Sequence, residues 1–391
     1  MEKTNYTRAF MTPMTYMPQD NLKNGDIWTL ALDIGYSGVK GMSPNSTYCF
    51  PAFAREQEKG IIGTPSETDI IYKDENGKQW LVGSLAQSLL RDNDTTDSHT
   101  TLYERNRYFS EMFLVLARVG MALGLRGNIY GKSKDPKDIF FQTGLPPAYL
   151  EADSPLLIDA LEGHHSFSVK FGQDEWERHS ILISRNRIHI LEQPMGAVFS
   201  ASKRDDGTTV SGPSGQPIVN DRILVLDGGF GTLDAISIFN RLVEDNMNSF
   251  SDLGMKAVIG LLSDKLLKQH GVEVSVHAMQ KVLDDGHVIK TNKRTRVQDI
   301  LQIEDILRAC NKTVCESAMN RIDSAYDYLS SHRYLLLAGG TCAAWKPIIM
   351  QRYAKMSGLS IISADQNDNL GPVFSNVRGY YLFRVLKSSG R

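Results

Sequence analysis

The apolar run Ile223-Leu224-Val225-Leu226 ends in Asp227, passes through Gly228-Gly229-Phe230-Gly231-Thr232, and resumes as Leu233-Asp234-Ala235-Ile236-Ser237-Ile238-Phe239. This pattern dictates a buried strand, a tight turn and a second strand, because the clustered glycines open positive-φ conformations to the turn. Glycine also lets backbone N–H groups come close to a ligand. Such groups cradle phosphate, and a carboxylate at the strand end can hold a cation bound to that phosphate. Alone, an ordinary glycine-rich hairpin reads the same way.

The pattern occurs twice. Ile27-Trp28-Thr29-Leu30-Ala31-Leu32 leads into Asp33-Ile34-Gly35-Tyr36-Ser37-Gly38-Val39-Lys40-Gly41, with Asp33 lying 194 positions before Asp227. Two copies at this separation suggest two related halves that could clasp a nucleotide's phosphates from both sides. A length of 391 residues also exceeds one simple core, so two domains are expected.

Composition narrows the function. A net charge of −2 gives no basic field for direct nucleic-acid binding. No window reaches the roughly 18 apolar residues that read as a membrane span, and the polar start lacks the apolar core of a signal peptide. Cys49, Cys310, Cys315 and Cys342 form no C-x-x-C pair, which fits reduced thiols in a cytoplasm better than a disulfide framework or zinc site.

Residues 1–26 read as a polar tail, flexible or draped on the surface, with Pro13 and Pro18 interrupting the spaced methionines. Residues 46–98 read as a small subdomain with a hairpin at Asn76-Gly77 and a solvated loop at Asp92–Ser98. A buried helix is expected over Phe109–Leu125 and a central strand from Asp138, followed by a hairpin through Phe167–Phe171 and Ile181–Ile183. Pro194 marks a helix start, and Lys203–Asn220 a surface excursion. Further helices are expected over Met255–Gln269, twice within Val297–Leu329, from about Ala343 after the strand Tyr334–Thr341, and near the end after Asn376.

Five stretches, Asp33–Gly41, Glu192–Ala197, Asp227–Asp234, Leu337–Thr341 and Asn376–Tyr380, therefore stand in a fixed order. Together they resemble the nucleotide-binding core of the actin, heat-shock chaperone and sugar-kinase superfamily over roughly residues 27–386. In that family's terms they look like phosphate loop 1, connector helix 1, phosphate loop 2, the adenosine motif and connector helix 2. Asn376-Val377-Arg378-Gly379-Tyr380 and Trp80-Leu81-Val82-Gly83 look most like the bacterial plasmid-segregation actins, the ParM/StbA group.

The resemblance implies an α/β, actin-like ATPase fold: two related domains, with ribonuclease H-like mixed sheets between helices, around a nucleotide cleft. Domain I would comprise 27–200 plus 367–391, including the small subdomain 46–98, and domain II 201–366. Asp33 and Asp227 would hold Mg2+ mainly through water. Backbone groups at Gly35, Tyr36, Ser37 and Gly38, and at Gly228, Gly229, Phe230, Gly231 and Thr232, would cradle the phosphates of ATP or GTP. Lys40 would contact the β-phosphate. Gln193, too weak a base to take a proton, would orient the attacking water, with Glu192 the runner-up. Gly339, Gly340 and Thr341 would receive the adenosine and α-phosphate, and Lys256 and Glu316 would lie near the adenine. Two departures stand out: Phe230 displaces a loop glycine, and Tyr36 replaces a serine that touches the terminal phosphate, leaving that role to Ser37 or Thr232. Asp234 reads as a structural hydrogen-bonding group, and Arg378 reads equally as a helix-face ion pair or a functional group.

Functionally, the resemblance implies a cytoplasmic ATPase that assembles head to tail and segregates or positions plasmid DNA. A basic ParR-type adaptor would make the DNA contact, with no direct nucleic-acid or membrane binding. A cell-shape or organelle-positioning filament shares every motif. A chaperone would need a further domain after connector 2, and a sugar kinase a substrate base that is not apparent.

Overall fold

The computed structural model describes residues 5–19, 27–57, 64–89, 105–126, 138–212, 217–276, 278–291, 294–367 and 369–388. One sheet has six strands in the spatial order β1 (Thr15–Pro18), β4 (Ser46–Pro51), β3 (Gly38–Ser43), β2 (Ile27–Ile34), β8 (Asp138–Leu145), β11 (Ile188–Glu192). A second has five, β14 (Leu242–Phe250), β13 (Leu233–Phe239), β12 (Ile223–Gly228), β17 (Tyr334–Ala338), β18 (Ser360–Ser363). Apart from β1, the two are built alike. Each has a three-strand antiparallel meander whose first strand also pairs in parallel with the next strand along, and that one with a last parallel strand. The repeat seen in two short motifs is thus a repeat of whole sheets.

The central strands are apolar without alternation because helices cover both faces. Leu224 and Leu226 face a core shared with the helices Met255–His270, Glu304–Ala325 and Gly339–Arg352, whereas Ile223 and Val225 face the helix Gln193–Ser202. In the first sheet, Leu30 and Leu32 pack on the Glu111–Leu125 helix, and Ala31 faces the Ser375–Ser388 helix. Ser110 starts the Glu111–Leu125 helix by accepting a hydrogen bond from Phe113 N at 3.1 Å. The helix Gln193–Ser202 follows the first sheet yet packs on the second, and Ser375–Ser388 does the reverse. The two helices cross each other between the domains. Arg378, fully buried, joins them by donating to Ser200 O at 2.8 Å and pairing with Asp205 at 2.7 Å, the ion pair that was one of its two readings.

Several sequence expectations change. Within the expected tail, Asn5–Arg8 form a helical turn, Phe10 is buried in the core of the second domain, and Thr15–Pro18 pair with Ser46–Cys49 in the first. Arg8 adds an ion pair to Asp284 at 3.0 Å. The two prolines do not prevent this: Pro13 lies between helix and strand, and Pro18 ends an edge strand, where proline is tolerated. The small sheet, in the order β10 (Glu177–Ile183), β9 (Gly163–Phe171), β6 (Ile70–Asp74), β7 (Gln79–Val82), β5 (Ala54–Glu56), recruits the 163–183 hairpin, while Ser46–Pro51 belong to the large sheet. Within Val297–Leu329 there is one long helix, Glu304–Ala325. Instead of a second long helix, that stretch holds a single 3-10 turn at Asp327–Leu329 and, before the helix, β16 (Gln298–Gln302), which is paired with β15 (His287–Thr291); a strand partner overrides local helical spacing there. The helix expected from Ala343 begins at the glycines themselves, Gly339–Arg352. The Asp92–Ser98 loop lies outside the described residues, as do residues 1–4, 20–26 and 389–391 of the two ends. No helix among the described residues is long and apolar enough to cross a membrane.

Candidate functional site

The β2–β3 and β12–β13 hairpins share one internal geometry. Asp33 stands opposite Lys40, and Asp227 opposite Asp234, the same offset along the chain. Two residues beyond each aspartate, a glycine N–H closes the turn: Gly35 N donates to Gly38 O at 3.1 Å, and Gly229 N to Thr232 O at 2.9 Å. Both aspartates are buried in the protein, at 5% and 4% exposure, yet both line the same cavity of about 320 Å³. Gln193, Ser37 and Lys40 border it from the first domain; Gly228, Gly229, Gly339, Gly340 and Thr341 border it from the second. An adjoining pocket continues past Gly35, Tyr36, Gly231 and Thr232 to Arg107.

Charge is concentrated here. Lys40 Nζ lies 3.0 Å from Asp33 Oδ2, and Gln193 Nε2 lies 3.4 Å from Asp33 Oδ1. Gln193 opens its helix, so its side chain is set by the same turn that Pro194 starts. Burial pushes the Asp227 carboxyl up to about 7, with Asp234 adding to the effect, although Asn376 Nδ2 donates to Asp227 Oδ2 at 2.6 Å. Burial likewise raises Asp234 to about 6 against hydrogen bonds from Ser249 and from Thr232 at 3.0 Å. Asp234 thus holds the second loop together, as its structural reading expects. A cluster of this kind is relieved by a bound cation.

The second loop is locked to the helix that follows β17. Gly339 adopts φ +78°, and a Cβ there would stand 2.9 Å from Asp227 Oδ1 and overlap the Gly228 carbonyl. Only glycine lets this helix start come so close. Thr341 Oγ1 donates to Gly229 O at 2.6 Å. The N-terminus of the Gly339–Arg352 helix therefore borders the cavity, a position that favours anions.

Other expected residues lie outside the cavity. Glu192 ends β11 and lines neither pocket. Lys256 is exposed, although its backbone N–H secures the second loop by donating to Phe230 O at 2.8 Å. Glu316 is exposed and 3.8 Å from Lys312. Met255 borders the cavity in their place. Sequence reasoning missed Asn376, Arg107 and the segment Arg8–Pro13, which forms one wall of the cavity. Asn376 stood inside a recognised motif, and the carboxylate it serves was the available signal. Thr12 lies so close to Gly38 that a Cβ on the glycine would be 2.5 Å from Thr12 Cγ2.

For a metal, Asp33 and Asp227 offer hard oxygen donors from opposite domains. No group of three or more ligating side chains occurs among the described residues. Two carboxylates completed by water and phosphate suit Mg2+, which keeps much of its hydration, better than a metal that needs an all-protein cage.

Residues 31–196 match the family model for the N-terminal domain of actin-like proteins, and residues 222–366 match that for the Alp7A C-terminal domain. Among solved structures, the chain resembles a ParM subunit of a 15-stranded filament from Clostridium botulinum at 19% identity and TM-score 0.66, over 92% of this chain and 99% of that one. It resembles the actin-like protein Alp7A at 14% identity and TM-score 0.63, over 93% and 97%. It also resembles Ta0583, an archaeal actin homologue in complex with ADP, at 16% identity and TM-score 0.60, over 90% and 97%. No match is found among curated proteins. These likenesses and the paired sheets bear out the expected fold.

Proposed function

Because this chain belongs to the actin-like proteins, we propose that it is a nucleotide-dependent, filament-forming ATPase that segregates or positions plasmid DNA through a ParR-type adaptor. The observation that carries the reading is the pair of identically built hairpins facing one cavity, with Asp33, Asp227 and Gln193 together on its wall.

In this reading, ATP lies in the cavity with its phosphates between the two turns. The backbone N–H groups that the turns leave unused within Gly35–Gly38 and Gly228–Thr232 bind the phosphate oxygens, those of Gly35 and Gly229 closing the turns themselves, and Lys40 adds a positive charge. Asp33 and Asp227 are the residues that would hold Mg2+, which when bound would offset phosphate charge. Gln193 holds a water in line with the terminal phosphorus. Its amide cannot take the proton, so hydrolysis is slow. The base end of the nucleotide meets Gly339, Gly340 and Met255. Triphosphate held by both loops favours a closed cleft and an assembling subunit shape, and hydrolysis withdraws that bias. Assembly is head to tail, through heterologous contacts that do not close. The near-neutral charge supports leaving DNA contact to the adaptor, and four unpaired, buried cysteines fit a reducing cytoplasm.

The test is light scattering with electron microscopy of the purified protein with Mg·ATP, Mg·GTP, Mg·ADP or no nucleotide. Filaments that form with triphosphate and shrink as phosphate is released are expected. Protein that stays monomeric under every condition removes the filament from the reading, while measured phosphate release would still retain the ATPase.

A further inference from the structure

Arg107 has no place in the mechanism above, yet it lines the pocket that holds both turns. The residue is only 8% exposed, and its guanidinium lies 4.5 Å from the ring centre of Tyr36, with Tyr108 and Phe113 at 5.4 and 5.8 Å. Its Nη1 is buried and has no hydrogen-bond partner among the described residues. The Tyr108 hydroxyl meets the guanidinium elsewhere, so the deficit is at Nη1 alone; a buried charged N–H left unsatisfied is costly, and a ligand that reaches it removes the cost. Lys40, the other cation lining this pocket, is already held by Asp33.

The position of Arg107 is set in advance. Its carbonyl accepts hydrogen bonds from Ser110 N at 3.0 Å and Ser110 Oγ at 2.7 Å, and Ser110 caps the buried Glu111–Leu125 helix. Tyr36, the platform under the guanidinium, belongs to the first turn and reaches the second: a Cβ on Gly231 would lie 2.8 Å from Tyr36 Cδ2. A cation, an aromatic ring and a glycine thus connect the two phosphate loops across the cleft.

We propose that Arg107 recognises the terminal phosphate of a bound nucleoside triphosphate, a turn of the guanidinium over the Tyr36 ring bringing its unpartnered Nη1 to a phosphate oxygen. The proposal rests on the nucleotide reading above and adds to it a group that separates triphosphate from diphosphate. Arginine suits the task because it stacks and donates at once, which lysine does not.

Calorimetric titration with Mg·ATPγS and Mg·ADP tests it. The wild-type chain should bind the triphosphate more tightly. Arg107→Ala should weaken ATPγS binding by about 10- to 100-fold while leaving ADP binding within about threefold, and retained ADP binding also reports a folded cleft. Arg107→Lys should fall between them. Arg107→Met, which keeps an apolar stem between the rings, gives the same comparison should the alanine variant fail to fold. Equal losses for both nucleotides, or no loss for either, would overturn the role of Arg107 while leaving nucleotide binding intact. A wild-type chain that binds neither nucleotide would overturn the nucleotide reading and this proposal with it.

Discussion

Gly196 and Gly379 meet backbone to backbone where the Gln193–Ser202 and Ser375–Ser388 helices cross. A Cβ on Gly379 would overlap the Gly196 carbonyl, and one on Gly196 would stand 2.7 Å from the carbonyl oxygen of Asn376. Since each helix packs on the sheet of the other domain, this crossing is where the two domains are pinned together. The glycines are needed for close approach, not for an unusual φ.

Gly379→Ala should therefore cost about 1–3 kcal/mol or more, because a rigid backbone has to move rather than a side chain. The measurement is the thermal unfolding midpoint, expected to fall by several degrees. Gly260→Ala is the control: it sits in the Met255–His270 helix with nothing within 4 Å of the added carbon. It should raise stability by about 0.5–1 kcal/mol. Equal effects at the two sites would contradict the tight crossing.

Asp227→Asn should stabilise the nucleotide-free protein and abolish Mg2+-dependent nucleotide binding. The Asp227 carboxyl titrates near 7 in the folded chain against 3.8 ordinarily. The folded state thus holds the proton more tightly, and stability declines as pH rises through that window. The substitution removes this penalty, so its stabilising effect should be large at pH 8 and small at pH 4. Melting curves at both pH values, with and without Mg·ATP, check both halves of the expectation.

Gln193→Ala should slow hydrolysis by up to about 100-fold, the scale set by losing the position of one reactant, with nucleotide affinity nearly unchanged. Single-turnover phosphate release beside equilibrium binding separates the two. A normal rate would move the water-orienting role away from Gln193.

His179, in the small sheet, stacks on Phe167 with ring centres 5.2 Å apart, and burial pushes its pKa down to about 4 from 6.5. The unfolded chain takes up this proton at higher pH than the folded one. The stability that His179 contributes is therefore complete above about 6.5 and lost as pH falls towards about 4. His179→Phe should flatten the acid limb of the stability profile between those values, as measured by denaturant titration at a series of pH values.

What could be read from the sequence was local. In Ile223–Asp234 and Ile27–Gly41, the apolar run, the aspartate and the glycines act on one another within a few residues, so strand and turn could be inferred together. The helix start at Gln193 was legible for the same reason, through the proline beside it. The place of Arg107 was not, because nothing near it in the chain shows that Tyr36 lies beneath it and the two glycine turns beside it. β16 took its conformation from β15, and the exposed sites of Lys256 and Glu316 follow from helix faces that local spacing does not orient relative to a cleft. Phe10 found its partners in helices almost three hundred residues away, a distance at which periodicity carries no information.

The segment from Arg8 to Thr15 has a mechanical consequence. Two other passages of the chain join the domains, around residues 202–222 and 364–375, and two attachments leave a body free to swing about the line between them. A third, anchored by Phe10 on one domain and β1 on the other beside the mouth of the cavity, acts as a tether. From Phe10 to Thr15 the backbone reaches about 18 Å at full stretch. The cleft can gape no wider than that unless Phe10 is pulled from its socket or β1 is peeled from its neighbour. The tether's length limits the angular travel of the two halves.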